Sequence, residues 1–510
     1  MHSTLAPPAN RRHLSAWKGT RKQVLSATAE RKSYSCKEYK EADCCIASSC
    51  CGLVIKKAGH YSLCENTVIQ SKQAAILILA SNVAINLCGF KLSSTTALIG
   101  VMIADGARDV TIMNGTLDGF LSNGIFLDGV YKNITLKGLV FQNIRLDSLI
   151  AVITDVSETS TILKGKRDLL IEDCVVRNCG NTTATGASTG AFLLQDVEGL
   201  VIRDLQVHDC DFAVVMEIRR SLFEIKTANV YANNIMYNVL NGFGSLGNCD
   251  NISVAGNTFI ALGYPGFDSE ISCLLLNEGS FTNCTVTDNT IEKDIFWSAI
   301  ISVFDTSVRV ENFLCQRNKS KGTLNGFYLI CADASVEINN SQFLNNKAKE
   351  INCLVRTTFI NIGGLPPSAS SVIVANLKSM QNKATDKYSF VSAYFIPDYE
   401  PANEELSMQL EGCRSSNNKG VGISFDLKNT VNTVVRDCVC QNEDTAFFNK
   451  SDGNFLERNL ANSCNVGFSS NKSGTFIANQ ALSCGTQYID VFNILIYLNS
   501  DVTAATNLLN

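Results

Sequence analysis

The sequence has few charged residues and almost no charge imbalance. Only 18% of its 510 residues are Asp, Glu, Lys or Arg, and 43 basic side chains stand against 48 acidic ones. A protein that binds nucleic acid needs a pronounced positive surface, which this balance does not provide. We therefore expect no nucleic-acid partner, and a ligand that is neutral or weakly charged.

Long apolar runs are also missing. The chain has no run of about 18 apolar residues, the length that a membrane-spanning helix needs. Its start, MHSTLAPPANRRHLSAWKGTRKQ, lacks the apolar core of a secretory signal. We expect a soluble protein without a membrane span. It would be located in the cytoplasm, or at a virion or cell surface that it reaches by a non-classical route.

The chain does contain a repeat, whose clearest copy is GLVIRDLQVHDC at residues 199–210. Each copy has alternating apolar residues before a central polar or glycine corner and a further apolar residue after it. The corners are 21 to 36 residues apart. They are Leu87, Asn114, Gly138, Asp173, Asp204, Thr227, Gly256, Asp288, Asn312, Asn340, Asn376, Gly412, Asp437, Arg458 and Asn479.

The position two residues before each corner is aliphatic in every copy. A period of two predicts strands whose alternate side chains face one interior. Repeats of this length predict a solenoid of short stacked strands rather than a coiled coil. The aliphatic residues are Ile85, Ile112, Leu136, Ile171, Ile202, Ile225, Val254, Val286, Val310, Ile338, Val374, Leu410, Val435, Leu456 and Ile477.

The segments GHYSLCENTVI and ILILASNVAINLCGF resemble the opening of right-handed parallel β-helix repeat proteins of the pectin-lyase-like superfamily. They look especially similar to the Asn- and Cys-rich examples found in chlamydia-related bacteria and amoeba-infecting giant viruses. The resemblance covers about residues 54–485. It implies an all-β fold, a single-stranded right-handed parallel β-helix (solenoid) of about 15 coils.

Three segments are expected along the chain. Residues 1–52 form a flexible basic tail and a Cys-rich segment, and residues 53–485 form the β-helix. Residues 486–510 form a C-terminal cap, because an uncovered last coil would expose a sheet edge.

The chain has 21 cysteines, an odd number. Many occupy equivalent positions of the repeat, where cysteine serves as a small buried hydrophobe. Cys413 and Cys438 are such a pair on adjacent coils, and we expect both to be reduced. Disulfides are expected only in the segment from Cys36 to Cys64.

Two polar features are expected at the corners and on the outside of the coils. Asparagines about five residues after the corner, such as Asn143 and Asn345, predict a second stacked corner. Opposite charges alternate just before the corner on neighbouring coils, which predicts ion pairs between coils or is a chance pattern on a solvated face. These charges are Lys137, Glu172, Arg203, Glu411, Arg436 and Glu457.

Enzymes of the resembled superfamily cleave acidic or neutral polysaccharides, and its hydrolases need paired carboxylates. The sequence lacks the NTD, Asp-Asp, Gly-His-Gly and Arg-Ile-Lys segments of the polygalacturonase-like members. An aspartate cluster that would hold the calcium of a lyase is also missing. We therefore predict a recognition or structural module, binding glycans without catalysis. The alternative is a divergent polysaccharide lyase or glycoside hydrolase.

One column of polar residues, three to five residues after the corner on consecutive coils, is the best candidate site. It is either a sugar-binding face or an ordinary polar surface ladder. If the chain is an enzyme, the catalytic candidates are His208, Asp209 and Arg177, with His208 as general base. No metal and no cofactor is predicted. The binding column is Asp118, Gln142, Arg177, His208 and Tyr231.

Overall fold

The structure is a computed structural model of the chain. It describes residues 44–46, 48, 51–144, 152–155, 167–177, 179, 190–195, 197, 199–208, 212–217, 229–232, 234–237, 241–246, 249–250, 252–260, 271–276, 279–291, 298–304, 308–331, 335–359, 370–395, 406–427, 433–449, 452–470, 474–489 and 495–497.

All regular elements in the described ranges are β-strands, which makes the chain an all-β protein. The first 24 are β1 Cys44–Ile46, β2 Leu53–Ile55, β3 Gly59–Leu63, β4 Thr67–Val68, β5 Ala74–Ile78, β6 Val83–Asn86, β7 Lys91–Ser93, β8 Ile99–Ile103, β9 Arg108–Asp118, β10 Asn123–Asp128, β11 Lys132–Gln142, β12 Val152–Asp155, β13 Arg167–Glu172, β14 Val175–Arg177, β15 Gly190–Gln195, β16 Val201–Arg203, β17 Gln206–His208, β18 Phe212–Glu217, β19 Asn229–Ala232, β20 Ile235–Tyr237, β21 Asn241–Leu246, β22 Cys249–Asp250, β23 Ile252–Ala255 and β24 Thr258–Ile260.

The remaining strands are β25 Ile271–Leu276, β26 Gly279–Thr282, β27 Thr285–Thr287, β28 Thr290–Ile291, β29 Ser298–Phe304, β30 Val308–Glu311, β31 Leu314–Gln316, β32 Lys319–Ser320, β33 Thr323–Cys331, β34 Ser335–Asn339, β35 Gln342–Leu344, β36 Lys347–Phe359, β37 Ser370–Ala375, β38 Lys378–Met380, β39 Lys383–Phe395, β40 Leu406–Glu411, β41 Arg414–Ser416, β42 Lys419–Leu427, β43 Thr433–Arg436, β44 Val439–Gln441, β45 Thr445–Asn449, β46 Asn454–Glu457, β47 Leu460–Asn462, β48 Val466–Ser470, β49 Gly474–Ile477, β50 Gln480–Leu482, β51 Thr486–Ile489 and β52 Leu495–Tyr497.

The strands belong to two compact units. The N-terminal unit comprises the described residues up to 247 together with 251–269, and the C-terminal unit comprises 248–250 and the residues from 270 onward. Each unit is a parallel β-helix, because every strand pairs in parallel with the equivalent strand of the next coil. The single domain expected over residues 53–485 stays a prediction.

The core of the N-terminal unit contains the predicted aliphatic column. Ile85 pairs with Ile112, and Ile112 pairs in turn with Leu136. The same register continues through Ile171 to Ile202. All five side chains are fully buried, so the alternation in the sequence correctly identified the interior face.

The C-terminal unit contains a ten-stranded parallel sheet from β22 to β52, and this sheet carries a second aliphatic column, distinct from that of Ile85 to Ile202, which lies in the 42-stranded sheet. Its aliphatic residues, none more than 1% exposed, stack in register from one strand to the next. They are Val310, Ile338, Val374, Leu410, Val435 and Leu456.

The fifteen predicted members therefore do not form one continuous column, because they are divided between two sheets. Val286 belongs to the 42-stranded sheet and pairs with Cys315, whereas Val310 of the next copy belongs to the ten-stranded sheet and pairs with Ile338. Ile477 is one residue out of register, since Phe476 is the partner of Leu456. Ile225 lies outside the described residues.

The corners adopt left-handed backbone conformations, which Asn and Asp tolerate better than other non-glycine residues. The φ angles of Asn114 and Asp204 are 60° and 55°. The predicted second corner is confirmed, since Asn143 and Asn345 have φ angles of 55° and 56°.

A buried row of asparagines runs through the C-terminal unit, six residues after the first corner of each coil. The backbone N and Nδ2 of Asn346 both donate to Oδ1 of Asn382 at 2.9 Å. Nδ2 of Asn346 also donates to the backbone oxygen of Cys315 at 3.3 Å. Each amide therefore satisfies its buried polar atoms through its neighbours. The row is Asn289, Asn318, Asn346, Asn382 and Asn418.

The cysteines have two kinds of environment. A disulfide joins Cys45 to Cys64, inside the segment to which the sequence assigned such bonds. Cys413 and Cys438 are buried thiols. The sulfur of Cys438 lies 3.7 Å from the backbone oxygen of Leu410, to which it donates a weak hydrogen bond.

The parallel ladder continues past residue 485, where the sequence placed the start of the cap. Strand β51 pairs with β48, and β52 pairs with β49. The cap expected over residues 486–510 stays a prediction, since its last residues are outside the described ranges.

Candidate functional site

Four of the five predicted binding residues form a column at the ends of consecutive strands of the N-terminal unit. Asp118 is in register with Gln142, and Gln142 is in register with Arg177. The pairing of β14 with β17 then aligns Arg177 with His208. All four side chains are half-buried and flank an inward residue of the same strand. We refer to Asp118, Gln142, Arg177 and His208 as the polar column.

The fifth predicted residue does not belong to the polar column. Tyr231 is in register with Ile202 on one side and Val254 on the other. The placement of Tyr231 was wrong because its coil was centred on Thr227, whereas strand β19 ends at Ala232. The residue in register with His208 is Tyr237. The catalytic candidate Asp209, like Asp211 beside it, lies outside the described residues.

Asp118 is held by three polar neighbours. Asn143 Nδ2 donates to Oδ1 at 2.7 Å, and Lys91 Nζ donates to Oδ2 at 3.0 Å. Burial raises the pKa of Asp118, but hydrogen bonds from Asn143, Lys91 and Gln142 outweigh it, so the net pKa is below the usual value. Asp118 is therefore ionised at neutral pH, which suits an acceptor of hydrogen bonds and does not suit a general acid.

Arg177 has a donor that the protein does not use. Its Nε atom is buried and has no hydrogen-bond partner. In the described part of the chain, no carboxylate forms an ion pair with its guanidinium. A buried donor without a partner costs free energy, and the planar guanidinium fits carboxylate and hydroxyl oxygens. The polar column thus has a half-buried cationic side chain at its centre.

A second outward column, just before the corner, carries the charges that the sequence predicted to pair. Glu172 lies 3.3 Å from Lys137 Nζ and 2.8 Å from Arg203 Nη2. Arg436 and Glu457 pair in the same way at 2.9 Å. The predicted ion pairs between coils are confirmed here. Because these charges neutralise each other, this column is a poor site for a charged ligand.

A buried carboxyl lies at the end of the asparagine row. Glu443 takes the place of an asparagine, and its Oε1 accepts hydrogen bonds from Asn418 N, Asn418 Nδ2 and Ser415 Oγ. Burial raises the pKa of Glu443 to about 8. Only 6% of the residue is exposed. An external substrate does not reach it, so Glu443 belongs to the core.

A cavity of about 410 Å³ opens on the first coils of the N-terminal unit. Sequence reasoning missed this site, although the repeated Cys at the first two coils was a usable signal. Asn86, 5% exposed, lies in its wall with Oδ1 accepting from Cys88 N at 2.9 Å. The lining includes His60, Cys64, Asn86, Cys88, Phe90 and Met113.

Two kinds of feature are absent from the described ranges. No group of three or more His, Cys, Asp or Glu residues there has an arrangement that could hold a metal ion. No helix there is long and apolar enough to cross a membrane.

Comparison with known proteins gives one match. The family model described as "Right handed beta helix region" matches residues 151–307. No curated protein and no solved structure matches the chain. The matched segment includes strands from both compact units, with parallel pairs such as β13 with β16 and β26 with β30. The chain has a right-handed parallel β-helix fold.

Proposed function

We propose that the polar column binds glycans without cleaving them. The observation that carries this proposal is the half-buried guanidinium side chain of Arg177, which stands at the centre of a row of polar side chains. A ligand rich in hydroxyl or carboxylate oxygens would accept hydrogen bonds from that guanidinium, and a charge-assisted hydrogen bond of this kind is about twice as strong as a neutral one. Glycans are such ligands.

The neighbours of Arg177 support the same ligand class. Gln142 and His208 offer donors and acceptors on either side, and the ionised Asp118 accepts hydrogen bonds from hydroxyl groups. Strands spaced about 4.8 Å apart repeat these groups at regular intervals. A chain of sugar units would therefore meet several members of the column at once. Glycans that carry carboxylates gain most from Arg177.

Two features favour binding over hydrolysis. A glycoside hydrolase needs one carboxyl that delivers a proton and a second that acts as base or nucleophile. The described members of the polar column include one carboxylate, Asp118, whose lowered pKa keeps it ionised. A protonated acid is thus not supplied by this row.

A glycan array probed with the full-length protein tests the proposal. Acidic glycans should bind, and Arg177→Gln should weaken that binding about tenfold, the loss of roughly 1.4 kcal/mol expected for one hydrogen bond to a charged group. Arg203→Gln is the matched control. Arg203 is on the next coil and is already paired with Glu172, so its replacement should leave the affinity unchanged.

Two outcomes of the array would contradict glycan binding by the polar column. An array without binding, or equal losses in both arginine variants, would contradict the proposal. A parallel assay for new reducing ends and unsaturated products tests the alternative. Turnover that His208→Ala or Asp209→Asn abolishes would make the protein a polysaccharide lyase or glycoside hydrolase.

A further inference from the structure

A disulfide and a thiol lie together in the N-terminal cavity. Cys64, which is bonded to Cys45, and Cys88, which is a thiol, both line it. Cys45 and Cys64 are exposed, and Cys88 is half-buried. Cys45 itself does not line the cavity. Of the two bonded cysteines, Cys64 is therefore the one that lines the cavity.

The strand register places Cys64 and Cys88 on adjacent coils. Ser62 is opposite Asn86, and Thr67 is opposite Leu92. Between these two points the second coil has one extra residue, so Cys64 falls beside Cys88 and its neighbour Gly89. Adjacent strands are about 4.8 Å apart, within the range of about 4.4 to 6.8 Å that separates the Cα atoms of a disulfide.

We propose that Cys88 and the Cys45–Cys64 disulfide form a thiol–disulfide exchange site. In this site the bond moves from Cys45–Cys64 to Cys64–Cys88, and the Cys45 thiol is released at the protein surface. The chemical class of ligand for the released group is another thiol or disulfide. The site is separate from the polar column and does not depend on glycan binding.

The exchange needs no external oxidant. The Cys88 thiol loses its proton, for which the imidazole of His60 in the same cavity is an acceptor. The thiolate attacks Sγ of Cys64, the new sulfur–sulfur bond forms as the Cys45–Cys64 bond breaks, and Cys45 leaves as a thiolate that takes up a proton. One disulfide is lost and one is gained, so there is no net oxidation or reduction.

Disulfide mapping of the oxidised full-length protein tests this site. The protein is incubated at pH 6, 7 and 8, quenched with acid, labelled with N-ethylmaleimide and digested without reduction. Mass spectrometry should find a Cys64–Cys88 peptide together with labelled Cys45. The rate of its appearance should rise about tenfold per pH unit, because the thiolate and not the thiol is the nucleophile.

Two variants complete the test. Cys88→Ser should leave only the Cys45–Cys64 bond, with Cys45 unlabelled at every pH. Cys51→Ser removes a nearby exposed thiol that does not line the cavity, and exchange should continue unchanged. The inference is overturned if the wild-type protein shows only Cys45–Cys64, if oxidation joins none of these three cysteines, or if Cys45 is labelled equally in Cys88→Ser.

Discussion

Replacing Ile202 with aspartate is expected to destabilise the N-terminal unit by about 4 kcal/mol or more, because it puts a carboxylate without a partner into an apolar core. Ile202 is fully buried between the coils of Ile171 and Tyr231. A carboxyl at this position must either stay protonated or be buried as a carboxylate that has lost its hydration. Either outcome costs free energy, and the cost grows as the pH rises.

Urea unfolding followed by circular dichroism measures this effect. Val201→Asp is the matched control, since Val201 precedes Ile202 in the same strand and points to the opposite, half-exposed face. Its loss of stability should be much smaller. Equal unfolding midpoints for Ile202→Asp and the wild-type protein would remove Ile202 from the core and with it the inward column.

Replacing Glu443 with glutamine is expected to stabilise the C-terminal unit at neutral and alkaline pH. Glutamine keeps an oxygen for the hydrogen bonds from Asn418 and Ser415. It also adds an amide donor like those of the asparagine row, and it removes the ionisable group. The gain should be absent in acid, where the glutamate is already neutral.

The sign of this pH dependence follows from the pKa. Burial raises the pKa of Glu443 from 4.5 to about 8, so the protonated form is favoured in the folded state. Its contribution to stability is complete below about pH 4.5 and is lost as the pH rises through 8. The free energy of unfolding of the wild-type protein should thus fall relative to Glu443→Gln by on the order of 5 kcal/mol over this range.

Unfolding midpoints of both proteins between pH 4 and pH 9 provide the measurement. Glu457→Gln is a suitable control, because Glu457 pairs with Arg436 on the outside of the coils. It should not reproduce the rising difference. A gap between wild type and Glu443→Gln that stays constant with pH would show that Glu443 does not titrate in this range.

Much of the fold could be predicted because one physical requirement repeats in every coil. An inward position must be apolar, and this alone identified Ile112, Leu136 and Ile338. The outward pairing of Glu172 with Lys137 and Arg203 was predictable for a related reason. In parallel in-register strands, equal sequence positions become neighbours, so alternating charges meet.

The remaining positions depended on information that the local pattern does not contain. Val286 and Val310 have the same apolar neighbours in sequence, and only the pairing of whole coils places them in different ladders. The same ambiguity explains why the sequence wrongly assigned Tyr231 to the polar column. Ser379 and Ser415 are polar at the position three residues after the corner, where the repeat usually has an apolar residue, yet both are fully buried. The hydroxyl of Tyr388 and the asparagine row satisfy them.

The asparagine row also has a direction. The backbone N and Nδ2 of Asn346 donate to the side-chain oxygen of Asn382 on the following coil, while a second Nδ2 bond goes back to the backbone oxygen of Cys315 on the preceding coil. Aligned dipoles of this kind reinforce one another. Asn318, Asn346 and Asn382 each donate from Nδ2 to the amide oxygen on the following coil, so the coils that carry them present equivalent partners. Excision of one whole coil between Asn318 and Asn382 would join two ends that already match, and the protein could gain or lose length in coil-sized steps without orphaning an amide.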